Sequence, residues 1–118
     1  MTPRILHGDC AEVMKTLPSG SVDFALTDPP YAVRYRDRSG RTVMNDDNDA
    51  WLAPAFSQIY RLLKPGSFCV SFYGYDAADR FIAAWRNAGF KIAGHIVSAN
   101  LTPHPDVFWN AVTNRRIC

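Results

Sequence analysis

Short apolar runs alternate with amphipathic stripes along this chain, and that alternation restricts the fold more than any other feature. Residues 4–7 (RILH), 21–27 (SVDFALT), 68–73 (FCVSFY) and 90–97 (FKIAGHIV) have strand length and composition. Gly8-Asp9 closes the first run and Asp28-Pro29-Pro30 closes the second. Helical spacing falls between the runs. Ala11, Val13, Met14 and Leu17 form one stripe, stopped by Pro18 and Gly20. Leu52, Ala55, Phe56, Ile59, Leu62 and Leu63 form another, with Asp49 as the expected N-cap, a start near Ala50 and a stop at Lys64-Pro65-Gly66. In a third, Ala77, Phe81, Ala84, Trp85 and Ala88 share a face, Asp76 is the expected cap and Gly89 supplies the C-terminal stop. Residues 34–49 are polar and without period, which predicts a loop. Strands joined by helical crossovers imply an α/β fold with a largely parallel sheet. Such sheets bind ligands beyond the carboxyl ends of their strands.

The chain's 118 residues suit one domain, and 47% hydrophobic against 20% charged residues is enough apolar material for a core. No apolar run reaches membrane-spanning length, and the opening MTPRILHGDC lacks a signal-peptide pattern, so a cytoplasmic protein is expected. A net charge of +2 does not by itself announce a nucleic-acid partner. Cys10, Cys69 and Cys118 form no CxxC pair, and His7, His95 and His104 add no ligand spacing, so no metal site is expected.

The chemistry concentrates in TDPPY, residues 27–31. Two consecutive prolines fix the backbone and donate no N–H, so their carbonyls point in set directions. Asp28 stands at the mouth of the strand and Tyr31 just beyond. A carboxylate acceptor, a rigid carbonyl acceptor and an aromatic plane together suit a planar base bearing an NH2 group. A strand end with a Pro-Pro turn and a core tyrosine uses the same residues.

The surrounding segments separate these readings. ILHGDC, LPSGSVDFALTDPPY, RLLKPGSF and AAWRNAGFKIAGHIV, spread over residues 5–97, resemble the β class of DNA N6-adenine and N4-cytosine methyltransferases. The resemblance implies a partial Rossmann-like AdoMet-methyltransferase fold, the N-terminal portion of a mostly parallel sheet with flanking helices. It implies S-adenosyl-L-methionine (AdoMet) as methyl donor and double-stranded DNA with a flipped target base as partner. It assigns catalysis to Asp28, Pro29, Pro30 and Tyr31, and cofactor contact to Gly8, Asp9 and Cys10, where an ordinary helix cap at Asp9 is the alternative. Arg34, Tyr35, Arg36, Arg38 and Arg41 are candidates for phosphate contact, against a solvated loop balanced by nearby aspartates. Trp51, Trp85 and Trp109 read as packing residues.

The resemblance implies a catalytic-domain portion over residues 1–97 and a divergent tail over residues 98–118. The family's glycine-rich AdoMet motif is expected further on, and no two of this chain's glycines form GxG. Read from the third base of the Val97 codon, one permitted back-translation of the tail gives FRKPYASSRRFLERRHEQAYL, close to the family's continuation. The expectation is a frameshifted, truncated and inactive form of a restriction-modification-type methyltransferase; a native, diverged tail is the alternative. Two other functions use the same residues: a non-catalytic DNA-binding remnant, and an AdoMet methyltransferase acting on an RNA or protein amine.

Overall fold

The computed structural model describes residues 2–30, 50–74 and 77–96, together with the strand path of residues 107–113. The elements run α1 (Cys10–Met14), β1 (Val22–Thr27), α2 (Leu52–Leu62), β2 (Leu63–Gly74), α3 (Ala78–Ala88), β3 (Lys91–Ile96) and β4 (Val107–Thr113). Four strands make one sheet in the order β1-β2-β4-β3. β1 and β2 are parallel, with Phe24 opposite Phe68 and Thr27 opposite Ser71. β4 lies antiparallel to both β2 and β3, so β1, β2 and β3 share one direction and β4 is the reversed strand between them. This is the expected mostly parallel α/β sheet.

Period-2 burial in β2 shows which face the helices cover. Cys69, Ser71 and Tyr73 are buried, whereas Phe68 is half exposed. Across that covered face, α2 contributes Leu52 and Phe56, and α3 contributes Phe81, Ala84 and Trp85, to a single core. The core is aromatic and edge-packed. Phe56 meets Trp85 at 5.9 Å between ring centroids, Tyr73 meets Trp85 at 5.5 Å, and Tyr60 meets Phe90 at 5.1 Å. Each such side chain contributes about 1.5–3 kcal/mol through burial. α3 stops at Gly89, whose φ of 113° favours glycine, and Phe90 N–H donates to the Trp85 carbonyl at 3.0 Å.

Several sequence-based expectations need correction. Residues 4–7 form no strand: Ile5 is 97% exposed, and a short run without a pairing edge has no face to bury. α1 ends at Met14 rather than Leu17, its last carbonyls being taken by turn bonds to Thr16 and Leu17. α2 starts at Leu52 with Trp51 as its cap residue, two residues later than expected. Asp49 and Asp76, the two expected caps, lie outside the described residues, as do residues 34–49 and Val97. Lys64-Pro65-Gly66 does not separate α2 from a later strand but falls inside β2. Its breaking character survives as a register jump, from Val22 opposite Leu63 to Phe24 opposite Phe68. Pro65 has no N–H for the ladder and Gly66 has a φ of 82°, so the segment bulges outward.

Candidate active site

At Thr27 the chain leaves the ladder, because Pro29 and Pro30 donate no N–H to continue it. Asp28, Pro29 and Pro30 therefore stand beyond the carboxyl end of β1, an edge strand of the described sheet. Asp28 is exposed and both prolines are half-buried.

A second wall comes from the turn into α1. Gly8 has a φ of 144°, and a Cβ there would lie 2.8 Å from Val13 Cγ2, so a side chain does not fit the turn. Asp9 caps α1: Oδ1 accepts from the Ala11 N–H at 3.0 Å and from the Glu12 N–H at 3.3 Å. The capping role is thus present. It engages one carboxylate oxygen; Oδ2 bonds to no described residue, and Asp9 lines the cleft.

The two walls enclose a cleft of about 880 Å³, within the size range of small-molecule and cofactor sites. Gly8, Asp9 and Cys10 from the turn and Asp28, Pro29 and Pro30 from the end of β1 all line it. Phe24, Leu26 and Thr27 of β1 form part of its wall. From α2 and its cap come Trp51, Pro54, Ala55, Phe56 and Ile59. Sequence reasoning placed Trp51 in the packing. It does pack, edge-on to Phe81 at 6.2 Å, and it also lines the cleft. The α2 face was readable as a helix stripe, but nothing in its spacing said that its N-terminal turns border a ligand space. Tyr31, Arg34, Tyr35, Arg36, Arg38 and Arg41 lie outside the described residues.

Asp9, Glu12 and Asp28 put three carboxylates on the cleft, and Glu12 pairs with Lys15 at 2.8 Å. Carboxylates accept from amine and hydroxyl donors and favour a cationic ligand group. The apolar walls are suited to a flat ring. Cys69, the buried thiol of β2, takes no part: burial pushes its pKa up to about 12, which keeps it protonated and unreactive. No described helix is long and apolar enough to cross a membrane, and no group of described side chains is placed to hold a metal ion.

The sequence model of the DNA methylase family matches residues 22–112, most of the chain. The YubD protein of Escherichia coli K12, named as a methylase, is 55% identical over 94 residues, covering 80% of this chain and 41% of YubD. The type II methyltransferase M.HinfI of Haemophilus influenzae is 34% identical over 65 residues, covering 55% of this chain and 18% of its own length. The chain thus spans less than half the length of these relatives. Among solved structures, TTHA0409 of Thermus thermophilus, named as a DNA modification methylase and complexed with S-adenosyl-L-methionine, superposes with a TM-score of 0.63 at 19% identity. The superposition covers 92% of this chain and 51% of that one. The M1.HpyAVI–SAM complex gives 0.64 at 20% identity over 96% and 54%. At these identities the likeness is one of fold. The family match over most of the residues carries the assignment: the chain belongs to the N6/N4 DNA methylase family.

Proposed function

We propose that this chain forms the target-amine side, and part of the cofactor side, of an AdoMet-dependent DNA methyltransferase acting on adenine N6 or cytosine N4. One observation carries the reading: a single cleft is lined both by Gly8, Asp9 and Cys10 and by Asp28, Pro29 and Pro30. Gly8 gives close backbone approach, and Asp9 Oδ2 can accept from a hydroxyl or amine of the donor. When bound, AdoMet supplies an electrophilic methyl group on a sulfonium.

A base inside a duplex cannot reach such a cleft, so the target must be turned out of the helix. Its exocyclic nitrogen is a poor nucleophile because its lone pair is delocalised into the ring. The Asp28 carboxylate and the Pro29 carbonyl accept its two N–H groups and draw it toward tetrahedral geometry. With AdoMet bound, the freed lone pair would be aimed at the donor's methyl carbon, the N–C bond would form as the C–S bond breaks, and the surplus N–H proton would pass through the Asp28 carboxylate to water. Tyr31 stacks on the base. Positioning and oriented dipoles supply the rate, with no covalent enzyme intermediate. Three carboxylates at the cleft repel DNA phosphates, so phosphate contact falls to Arg34, Arg36, Arg38 and Arg41 with Tyr35 beside them.

The test is Asp28→Ala in a methylation-competent form, the chain continued in the shifted reading frame described above. Methyl transfer to duplex DNA should fall by about three orders of magnitude, the scale of losing a key transition-state contact. AdoMet affinity should stay nearly unchanged. Near-normal turnover by this variant removes the role given to Asp28. A panel of DNA, RNA and protein amines checks the substrate class.

A further inference from the structure

Arg61, near the end of α2, makes more side-chain hydrogen bonds than a surface arginine needs. Its Nη2 donates to the Met14 carbonyl at 2.7 Å, and Nη1 donates to the Leu17 carbonyl at 3.0 Å and to Ser19 Oγ at 2.9 Å. Nε donates to Gln58 Oε1 at 2.9 Å, which fixes the guanidinium against its own helix. The Arg61 carbonyl accepts from the Gly20 N–H at 3.0 Å. All three guanidinium nitrogens and the backbone oxygen are engaged, and the side chain is half-buried.

These bonds join α1 and the turn before β1 to α2. α1 has five residues and none of them is buried, far too short to persist alone. Met14 is its last residue, and its carbonyl accepts both the Leu17 N–H at 3.1 Å and the Arg61 guanidinium, a cation at the helix C-terminus. Leu17, Ser19 and Gly20 form the turn that feeds β1. Each of the three pieces held by Arg61 continues to a wall of the cleft: α1 to Asp9, β1 to Asp28, and α2 to Trp51.

We propose that Arg61 is a positioning residue that sets the distance between the Asp9 wall and the Asp28 wall, and so between methyl donor and target amine. This rests on reading the cleft as the site of both. Arg61 touches neither ligand, since it is absent from the cleft lining. Its planar fork bonds two carbonyls and a hydroxyl at once, a geometry the single ammonium of lysine cannot reproduce.

The experiment is amide hydrogen exchange on the 118-residue chain and its Arg61→Gln and Arg61→Lys variants, with millimolar AdoMet as an NMR shift probe. Arg61→Gln should speed exchange at Val13, Thr16 and Leu17 by about tenfold or more, while the β2 amides of Cys69 and Ser71 keep their rates. Arg61→Lys should fall between Gln and the parent. AdoMet-induced shifts at Ala11 and Glu12 should weaken by about fivefold or more in the Gln variant. A uniform rise in exchange across α1 and β2, or no change at α1, overturns the proposal by reducing Arg61 to a general stabiliser or a bystander. Local loosening of α1 in a parent chain that shows no AdoMet shifts upholds the clamp and overturns the cofactor reading of the cleft. The two failures are therefore distinguishable.

Discussion

At Gly8 the backbone sits in the left-handed half of φ space, and the stiff, β-branched Val13 occupies the place a Cβ would take. Gly8→Ala should therefore cost about 1–3 kcal/mol, the scale of a strained non-glycine conformation. It should also loosen the Asp9 cap. Urea unfolding together with amide exchange at Ala11 and Glu12 checks both, and an unchanged profile would mean the turn relaxes freely. Cys69 offers a different residue-scale test. Burial raises its pKa from 9.0 to about 12, and burial raises that of Tyr73 as well. The folded state thus holds these protons more tightly than the unfolded chain does. That stability is fully present below about pH 9 and is lost as the pH climbs toward the folded values. Urea midpoints should hold at about pH 8 and decline by about pH 10.5. Cys69→Ala should shift the whole curve down and make the alkaline decline shallower. An equally steep decline in that variant would place the titration elsewhere.

Trp85 of α3 links the two helices to the sheet through Phe56, Tyr73 and Phe81, yet its buried indole N–H finds no hydrogen-bond acceptor among the described residues. Its value to the element is therefore volume and ring geometry, set against an unsatisfied donor. Trp85→Phe should stay within about 1.5 kcal/mol of the parent, while Trp85→Ala should lose about 3–5 kcal/mol. Thermal unfolding compares them, and a large loss in the Phe variant would reveal an unseen partner for the indole. Elements of this kind were legible in the sequence because one local signal sufficed. The Phe81, Ala84 and Trp85 stripe and the Gly89 stop located α3, and Pro29-Pro30 located the end of β1. What stayed illegible depended on pairing at a distance. Residues 4–7 read as a strand from composition, but a strand exists only where an edge accepts it. Lys64-Pro65-Gly66 read as a stop, but the ladder resumes on both sides of it because β1 realigns at Phe24. Trp51 read as packing because nothing local says that the start of α2 faces the end of β1.

Among the described residues, the helices cover one sheet face and leave the other open. Phe24, Leu26, Phe68 and Ile96 are each at least half exposed, and register places Phe24 beside Phe68. A sheet face of this kind favours association in isolation. The reversed strand β4 comes from the tail, residues 98–118, and the family match reaches residue 112. Strand pairing is made by main-chain groups, so a β-prone stretch such as VFWNAVT can join β2 and β3 whichever reading frame produced it. Residues 98–118 are proposed to be an out-of-frame reading, on a sequence ground. One permitted back-translation of the shifted frame gives a family-like string through the tail. If one base is restored near the Val97 codon, translation should continue as a segment close to FRKPYASSRRFLERRHEQAYL and then reach a glycine-rich motif. The restored protein should bind AdoMet, methylate duplex DNA and stay soluble. The 118-residue chain should bind AdoMet only in the millimolar range and transfer no methyl group. Sequencing the locus is the first measurement, and calorimetry on both forms is the second. A stop codon at once in the shifted frame, or tight stoichiometric AdoMet binding by the 118-residue chain, would make the tail native and β4 a genuine part of the domain.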